Sequence, residues 1–261
     1  MKILATVFTY PPNVSYFKHC IEYLEQSCCV AGHKVDLLIV DFGEEEPPED
    51  AYGFQCMTLW KPMAGFGSNF NSALSIALTR KYDYLLNIND DAFISEQFIA
   101  EGVSFLEANP NAGMVAGIPN QGGWLLELED LEIPEPVQNI VDVKPLERLW
   151  WETSACLYRA EALRQVGMWD TNFDLGLSVC SDNDYYLRMQ MAGCDLYRNG
   201  AMRFFHIKGL TQAAFGRKPS KEGDAFKQRN LEYFYQKWNV RLEQDKTFDH
   251  AYKVPFGGIR V

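Results

Sequence analysis

The side chains of this sequence best suited to chemistry are carboxylates in closely spaced pairs. Asp90 and Asp91 are adjacent and directly follow the apolar run 84–89. Hard divalent cations such as Mg²⁺ and Mn²⁺ prefer oxygen ligands, and one or two carboxylates often hold them together with substrate phosphates. Because adjacent side chains diverge, one carboxylate suits a metal ion and its neighbour a ribose. Asp also favours helix N-caps, but two carboxylates at the end of a buried strand favour the functional interpretation.

A second pair, Asp182 and Asp184, stands at the start of the helical pattern 181–192. The helix dipole favours carboxylates at this position, which explains one aspartate more readily than two. A carboxylate that faces a cleft would instead accept a proton from an attacking hydroxyl as a general base. His206 ends a short strand pattern, and three roles stay open for it: a metal ligand, a contact to a leaving group, or a core histidine.

The elements that must position these residues alternate between two patterns over the first 120 residues. Strands are predicted at 3–8, 35–40, 84–88 and 113–118, and helices near 14–27, 68–80 and 95–108 with Ser68 and Ser95 as N-caps. This alternation predicts an α/β sheet, in which ligands bind outside the carboxyl ends of the strands. Thr9, Asp41 and the segment 89–91 follow three of these strands, so we expect them to converge at one edge.

The second half of the chain repeats the alternation more loosely. A strand is predicted at 152–158, helices at 160–166, 181–192 and 222–238, and a short strand at 203–206. The acidic, proline-containing stretch 119–150 is interpreted as a surface excursion. The glycines of segment 63–71 open a helix whose backbone N–H groups could meet anions, although this signal is weak.

Composition sets outer limits on function. The chain has 261 residues, with 24 Lys and Arg against 35 Asp and Glu, a formal charge of −11. This balance excludes a generally basic nucleic-acid-binding surface. The seven cysteines form no C-x-x-C pair, which favours a reduced, cytoplasmic compartment. No apolar run approaches the roughly 20 residues of a membrane span, and the run 3–8 is too short for a signal peptide.

One window departs from this acidic balance. Residues 208–241 hold eight basic and three acidic residues, a local charge of +5. Arg217 and Lys218 lie in a predicted loop, and we expect this loop to close as a mobile lid over a bound diphosphate, whose charge the two cations would offset. The alternatives are a solvated face of the last helix and a strip that follows an anionic acceptor.

Taken in order, seven motifs resemble the GT-A nucleotide-sugar glycosyltransferases, most closely the inverting, family-2-like enzymes. The motifs are Val7-Phe8-Thr9-Tyr10, Ile39-Val40-Asp41, Asn89-Asp90-Asp91, the segment 152–170, Ser181-Asp182-Asn183-Asp184 with Leu187-Arg188 and Gly193, His206 with Gly209 and Thr211, and the helix end 233–238. Each motif alone is loose, but their order is specific and spans nearly the whole chain.

The resemblance implies a single GT-A (Rossmann-like) domain over 1–261 with a central, mostly parallel sheet flanked by helices. Its parts would be a nucleotide-sugar-binding half at 1–120, the acidic excursion at 121–150 and an acceptor-side, catalytic half at 151–261. It also implies Mn²⁺ or Mg²⁺ as cofactor and inverting transfer from a nucleotide diphosphate sugar, with UDP preferred over dTDP or GDP. The expected acceptor is a hydroxyl of a saccharide or glycoconjugate.

The resemblance also implies residue roles. Asp182 would be the catalytic base, with Asp184 as the alternative, and Asp91 and His206 would hold the metal. The donor-binding residues would be Thr9, Tyr10, Asp41, Asn71, Asp90, Arg217 and Lys218.

Three other functions remain as alternatives. A nucleotide-dependent oxidoreductase would carry G-x-G-x-x-G after the first strand, and this sequence lacks it. A non-catalytic nucleotide- or carbohydrate-binding module would lack a base or a metal ligand. A transferase acting on hydroxymethylated bases of DNA is less favoured, because the net charge opposes attraction of phosphates.

Overall fold

The computed structural model describes residues 1–9, 14–41, 55–60, 65–121, 143–145, 154–174, 180–207, 221–244 and 252–253. Three residues of the expected donor site, Tyr10, Arg217 and Lys218, lie outside the described residues, as does most of the acidic stretch. For Asp41 only the backbone is described.

The described elements match the predicted alternation. The strands are β1 (Lys2–Thr9), β2 (Lys34–Asp41), β3 (Gln55–Trp60), β4 (Tyr84–Asn89), β5 (Ala92–Ile94), β6 (Ala112–Gln121), β7 (Val143–Pro145), β8 (Ala155–Arg159), β9 (Asp195–His206), β10 (Glu243–Gln244) and β11 (Tyr252–Lys253). The helices are α1 (Val14–Ala31), α2 (Phe66–Thr79), α3 (Phe98–Ala108), α4 (Ala160–Val166), α5 (Ser181–Met191) and α6 (Lys221–Trp238), with a 3₁₀ turn at Thr171–Phe173.

One mixed sheet joins both halves of the chain. Its strand order is β3-β2-β1-β4-β8-β6-β9-β5, and β7 pairs with β9 beside this path. Strands β3, β2, β1 and β4 are parallel neighbours, β8 runs antiparallel between β4 and β6, and β9 is parallel to β6. The predicted α/β class with a mostly parallel sheet is confirmed.

The strand register brings the predicted polar ends together. Thr9 is paired with Asp41, and Phe8 with Asn89, so β1, β2 and β4 end at the same level. Strand β8 is antiparallel to both β4 and β6, so β6 and its parallel neighbour β9 run in the same direction as β4. The pair of Gln121 and His206 at their ends therefore lies at that edge as well. The expected convergence of strand ends is therefore confirmed.

Both faces of the sheet are covered, which explains why its strands are apolar without alternation. Along β1, Ile3 and Val7 pack into the cluster under α1 and α3, whereas Leu4 and Phe8 pack into the cluster under α2, α4 and α5. The buried Thr6 hydroxyl donates to the Leu86 carbonyl oxygen at 3.0 Å, so it requires no water. A smaller cluster lies between α6 and the 3₁₀ turn.

Two predicted helix starts are wrong. Helix α3 begins at Phe98 rather than at Ser95, because the Ser95 N–H donates to the Arg203 carbonyl and extends the β5–β9 pairing. Ser68 lies inside the first turn of α2, whose N-cap is Gly65. In both cases a distant partner holds a residue that local sequence assigns to the helix start.

Candidate functional site

A carboxylate and an imidazole from opposite halves of the chain meet at the carboxyl edge of the sheet. The Asp91 Oδ1 and His206 Nε2 atoms are 3.1 Å apart, and both side chains are buried. The contact follows from strand pairing, because Ala92 is registered with His206 and the Ile207 N–H donates to the Asp91 carbonyl at 3.0 Å. The structure thus brings together the two residues expected to hold a metal.

The surroundings of this pair include residues that sequence reasoning missed. The Ser154 Oγ lies 3.5 Å from both His206 ring nitrogens and accepts a hydrogen bond from the Asn89 side-chain amide at 3.2 Å. The Cys20 thiol donates to the Asn89 carbonyl at 3.5 Å. Burial raises the pKa of Cys20, and the charges of Asp90 and Asp91 raise it further. Ser154 and Cys20 lie far away in sequence, so no local pattern indicates them.

The chemistry and spacing of the pair fit a divalent ion. Two ligands at right angles on an octahedral ion, each about 2.1 Å away, are about 3.0 Å apart. The separation of 3.1 Å between Asp91 and His206 is close to that value. Within the described part of the chain no group of three or more His, Cys, Asp or Glu side chains could hold a metal. Hard divalent ions often complete their coordination with substrate oxygens and water.

Asp182 lies in the first turn of α5 and is half-buried. Its Oδ1 accepts a hydrogen bond from the Asn183 N–H at 2.9 Å. Burial raises the pKa of the Asp182 carboxyl to about 6, although the backbone hydrogen bonds oppose the rise. A base titrating near the working pH is well matched to proton transfer. No described contact links Asp182 to the Asp91–His206 pair.

Asp184 has a different environment, which argues against its role as the alternative base. Its side chain has no exposed surface. One oxygen accepts from Trp238 Nε1 at 2.8 Å and lies 2.7 Å from Lys237 Nζ, and the other accepts from Arg188 Nε at 3.0 Å. A general base must reach the hydroxyl that it deprotonates. The geometry therefore favours Asp182.

The same lysine ties α6 to the turn that precedes α5. Lys237 Nζ also donates to Asp170 Oδ2 at 2.6 Å, and the Tyr233 hydroxyl donates to this oxygen at 2.9 Å. Burial alone would raise the pKa of Asp170, but Lys237, the Asn172 N–H and Tyr233 lower it to about 2. Lys237 thus bridges two carboxylates and fixes the end of α6 against the helix that carries Asp182.

The glycine-rich start of α2 binds a carboxylate of this same chain. The Asp174 carboxylate accepts from the Gly67 and Ser68 N–H groups at 2.7 and 2.8 Å, and from the Ser68 hydroxyl at 2.7 Å. A Cβ on Gly67 would lie 2.8 Å from the Asp174 Oδ1, so the close approach requires glycine. This helix start is occupied by a carboxylate of the protein itself, so these donors already have an acceptor other than a substrate phosphate.

Asn71, expected in the donor site, also has a structural partner. Its Nδ2 donates to the Trp169 carbonyl at 3.0 Å, and its Oδ1 accepts from the Trp169 N–H at 2.7 Å. These two bonds engage both ends of the amide and connect α2 to the chain after α4. The donor-binding assignment of Asn71 is not supported by these contacts.

Removing the Asp174 carboxylate is expected to destabilise the fold. In Asp174→Ala three donors at the start of α2 lose their acceptor, and loss of a helix cap costs about 0.5–2 kcal/mol. Urea unfolding should report a loss in this range, and Glu101→Ala, an acidic residue in the first turn of α3, should change stability by a few tenths only. Equal effects of the two variants would contradict a capping role for Asp174.

The structure also describes the side chains of two other residues expected in the donor site, Thr9 and Asp90. Thr9 ends β1 and is buried, and Asp90 is buried next to Asp91.

Among the described helices none is long and apolar enough to cross a membrane.

Comparison with solved structures shows the fold. The chain superposes on S. aureus TarS, a glycosyltransferase, with a TM-score of 0.57 and 12% identity, over 90% of this chain and 44% of the TarS chain. TarS 1–349 in complex with UDP gives a TM-score of 0.56 over 92% of this chain and 72% of that one. The complex with UDP-GlcNAc gives a TM-score of 0.51, and both complexes are 12% identical to this chain. No family model and no curated protein matches the sequence.

Proposed function

We propose that this protein is a metal-dependent, inverting glycosyltransferase that uses a nucleotide diphosphate sugar. The observation that carries the proposal is the contact of Asp91 with His206 at the carboxyl edge of the sheet, 3.1 Å apart although 115 residues separate them in sequence. A ligand pair that suits a divalent ion at the edge where α/β sheets bind nucleotides suits a donor diphosphate. The likeness of the fold to TarS, solved with UDP and with UDP-GlcNAc, supports this class and a preference for UDP.

The proposed mechanism divides the work between two sites. Asp91 and His206 would hold Mn²⁺ or Mg²⁺, which as a Lewis acid neutralises charge on a leaving diphosphate. Asp182, held by the Asn183 N–H, takes the proton of the acceptor hydroxyl as this oxygen attacks the anomeric carbon. The attack comes from the face opposite the leaving group, so the configuration inverts.

The donor-binding residues complete the proposal. Thr9 and Asp41, paired at the ends of β1 and β2, would contact the nucleoside. Asp90 would bind the ribose or assist at the metal, and Arg217 and Lys218 would close over the diphosphate. Thr9 and Asp90 are buried, so they are held in place before the donor binds.

A saccharide or glycoconjugate is the acceptor that we propose, in a cytoplasmic protein. A net charge of −11 disfavours DNA, the alternative acceptor. A non-catalytic binding module, the other alternative, would bind the donor without turnover.

Slow donor hydrolysis tests the proposal against this alternative. We expect UDP-sugar with Mn²⁺ to be hydrolysed slowly by the protein, because a metal-activated leaving group is open to attack by water when no acceptor is present. Release of free sugar from UDP-, dTDP- and GDP-linked donors would be followed by chromatography, with EDTA as the control. UDP-sugar that binds but is never cleaved, with or without glycan acceptors, would contradict an enzymatic role.

A further inference from the structure

Arg203, a buried cation on β9, has no counterion in the described part of the protein. Arg203 is 8% exposed, and its Nε is inaccessible and makes no hydrogen bond. No ion pair joins its guanidinium group to a described carboxylate. Two half-buried arginines, by contrast, have clear partners: Arg159 donates to the Ala112 and Leu106 carbonyls, and Arg188 to Asp184.

An unpartnered hydroxyl lies beside this cation. Ser95 is 1% exposed, and its Oγ makes no hydrogen bond within the described structure. The Ser95 N–H donates to the Arg203 carbonyl at 2.8 Å, which makes the two residues cross-strand neighbours at the β5–β9 edge. Directly opposed residues of an antiparallel pair point to the same face, with Cβ atoms about 4.5–5.5 Å apart. Two adjacent side chains therefore both have unused hydrogen-bonding capacity.

Such a pair is costly unless something binds it. Buried charges in proteins are normally paired, and a buried polar atom without a partner costs about 1–3 kcal/mol. Arginine presents several N–H donors in a planar fork that matches the oxygens of a phosphate or carboxylate, and a serine hydroxyl adds one more donor. The chemistry that would satisfy both groups at once is an oxyanion.

The geometry points to an oxyanion-binding subsite formed by Arg203 and Ser95, which holds one phosphate or carboxylate group of a substrate. It differs from the Asp91–His206 pair, because Arg203 precedes His206 by three residues and side chains alternate between the faces of a strand. Both lie within the last four residues of β9, near the carboxyl edge of the sheet where the donor is proposed to bind. The subsite itself does not depend on the proposed function, and only the assignment of the anion to donor or acceptor rests on it.

Binding of inorganic phosphate, measured by calorimetry with EDTA present and ionic strength held constant, tests the subsite. We expect saturable one-site binding to the wild-type protein. Arg203→Met should weaken it about tenfold or more, the range for hydrogen bonds to a charged group, and Ser95→Ala about two- to tenfold. Arg203→Lys, which keeps the charge, should retain part of the affinity. Arg164→Met removes the same charge from an exposed arginine paired with Glu161 and should change nothing.

Thermal unfolding separates a binding role from a structural one. Arg203→Met should unfold at the same or a higher temperature than wild type, because an unpaired buried charge has been removed, and phosphate should no longer stabilise it. If the variant does not fold, Ser95→Ala supplies the same comparison. Absence of phosphate binding to wild type, or binding to Arg203→Met that is as tight as binding to wild type, would overturn the subsite.

The source of the anion follows from competition. Phosphate displaced by UDP with Mn²⁺ assigns the subsite to the donor diphosphate. Phosphate that still binds when UDP and Mn²⁺ are saturating assigns it to an anionic acceptor. Either result supports the subsite, and neither requires transfer, so a failure of the proposed function would be recognised separately.

Discussion

Asp182→Asn is expected to lower the rate of sugar transfer by about 10²- to 10⁴-fold, the usual contribution of general acid–base catalysis. Donor binding should be nearly unchanged, because asparagine keeps the acceptor oxygen bonded to the Asn183 N–H and removes only the ability to take a proton. Initial rates of transfer, together with calorimetric UDP binding, measure the two effects separately. If Asp182→Asn loses transfer rate but keeps its affinity for the donor, Asp182 is identified as the base.

The pH dependence of the transfer rate of the wild-type enzyme tests the role of Asp182 independently. Burial raises the pKa of Asp182 to about 6, so the carboxylate is charged and able to accept a proton above that pH. Below it the rate should fall about tenfold for each pH unit, as protonated carboxyl replaces carboxylate. In Asp182→Asn this acidic limb should disappear.

Stability measurements test whether Asp182→Asn loses activity only because the variant is less stable. A carboxyl whose pKa is higher in the folded than in the unfolded state binds more protons when folded, so the charged form at pH 7 or above lowers stability. Asp182→Asn should therefore unfold at the same or a higher denaturant concentration than wild type. Asp184→Asn is the matched control, because it removes a charge from a buried network with Lys237 and Arg188 and should destabilise the fold. Near-normal activity of Asp182→Asn with a folded, inactive Asp184→Asn would reverse the two roles.

The sequence predicted those features of the fold and site that depend on residues close together in the chain. The strands β1, β2 and β4 are apolar on both faces, since helices cover both sides of the sheet, and this leaves short continuous apolar runs. Their shared end follows from parallel pairing, so the edge with Thr9 and Asn89 was predictable. Strand β5 has three residues, too few for any period to appear.

Long-range contacts decided what the sequence left open. Asp182 and Asp184 are equivalent by local pattern, and only the partners of Asp184 from α6, more than 50 residues away, distinguish them. Asp174 reaches the start of α2 across 107 residues, and Asn71 is bound to Trp169 across 98. A glycine-rich helix start looks alike in sequence whether a phosphate or a protein carboxylate occupies it.

The pairing of Asp91 with His206 leads to the second large effect. We expect UDP to bind more tightly with Mn²⁺ than with EDTA, and Asp91→Asn to remove most of this difference. Changes merely next to a metal ligand commonly cost about 10- to 100-fold in metal affinity, so loss of a ligand should cost at least as much. Calorimetry of UDP binding with Mn²⁺ and with EDTA measures the effect, and Mn²⁺ titrations followed by electron paramagnetic resonance measure the ion directly.

The controls for this prediction lie on the same strand. Asp195 begins β9 and is exposed, at the opposite end from His206, so Asp195→Asn removes an equal charge without touching the expected site. It should bind Mn²⁺ and UDP as wild type does, whereas His206→Ala should behave like Asp91→Asn, because the two side chains are 3.1 Å apart and would share one ion. Equal UDP affinity of the wild-type protein in Mn²⁺ and in EDTA would reduce the contact to a buried hydrogen bond between the two side chains. In that case Asp91→Asn would remove the carboxylate that faces His206 and should lower stability rather than nucleotide affinity.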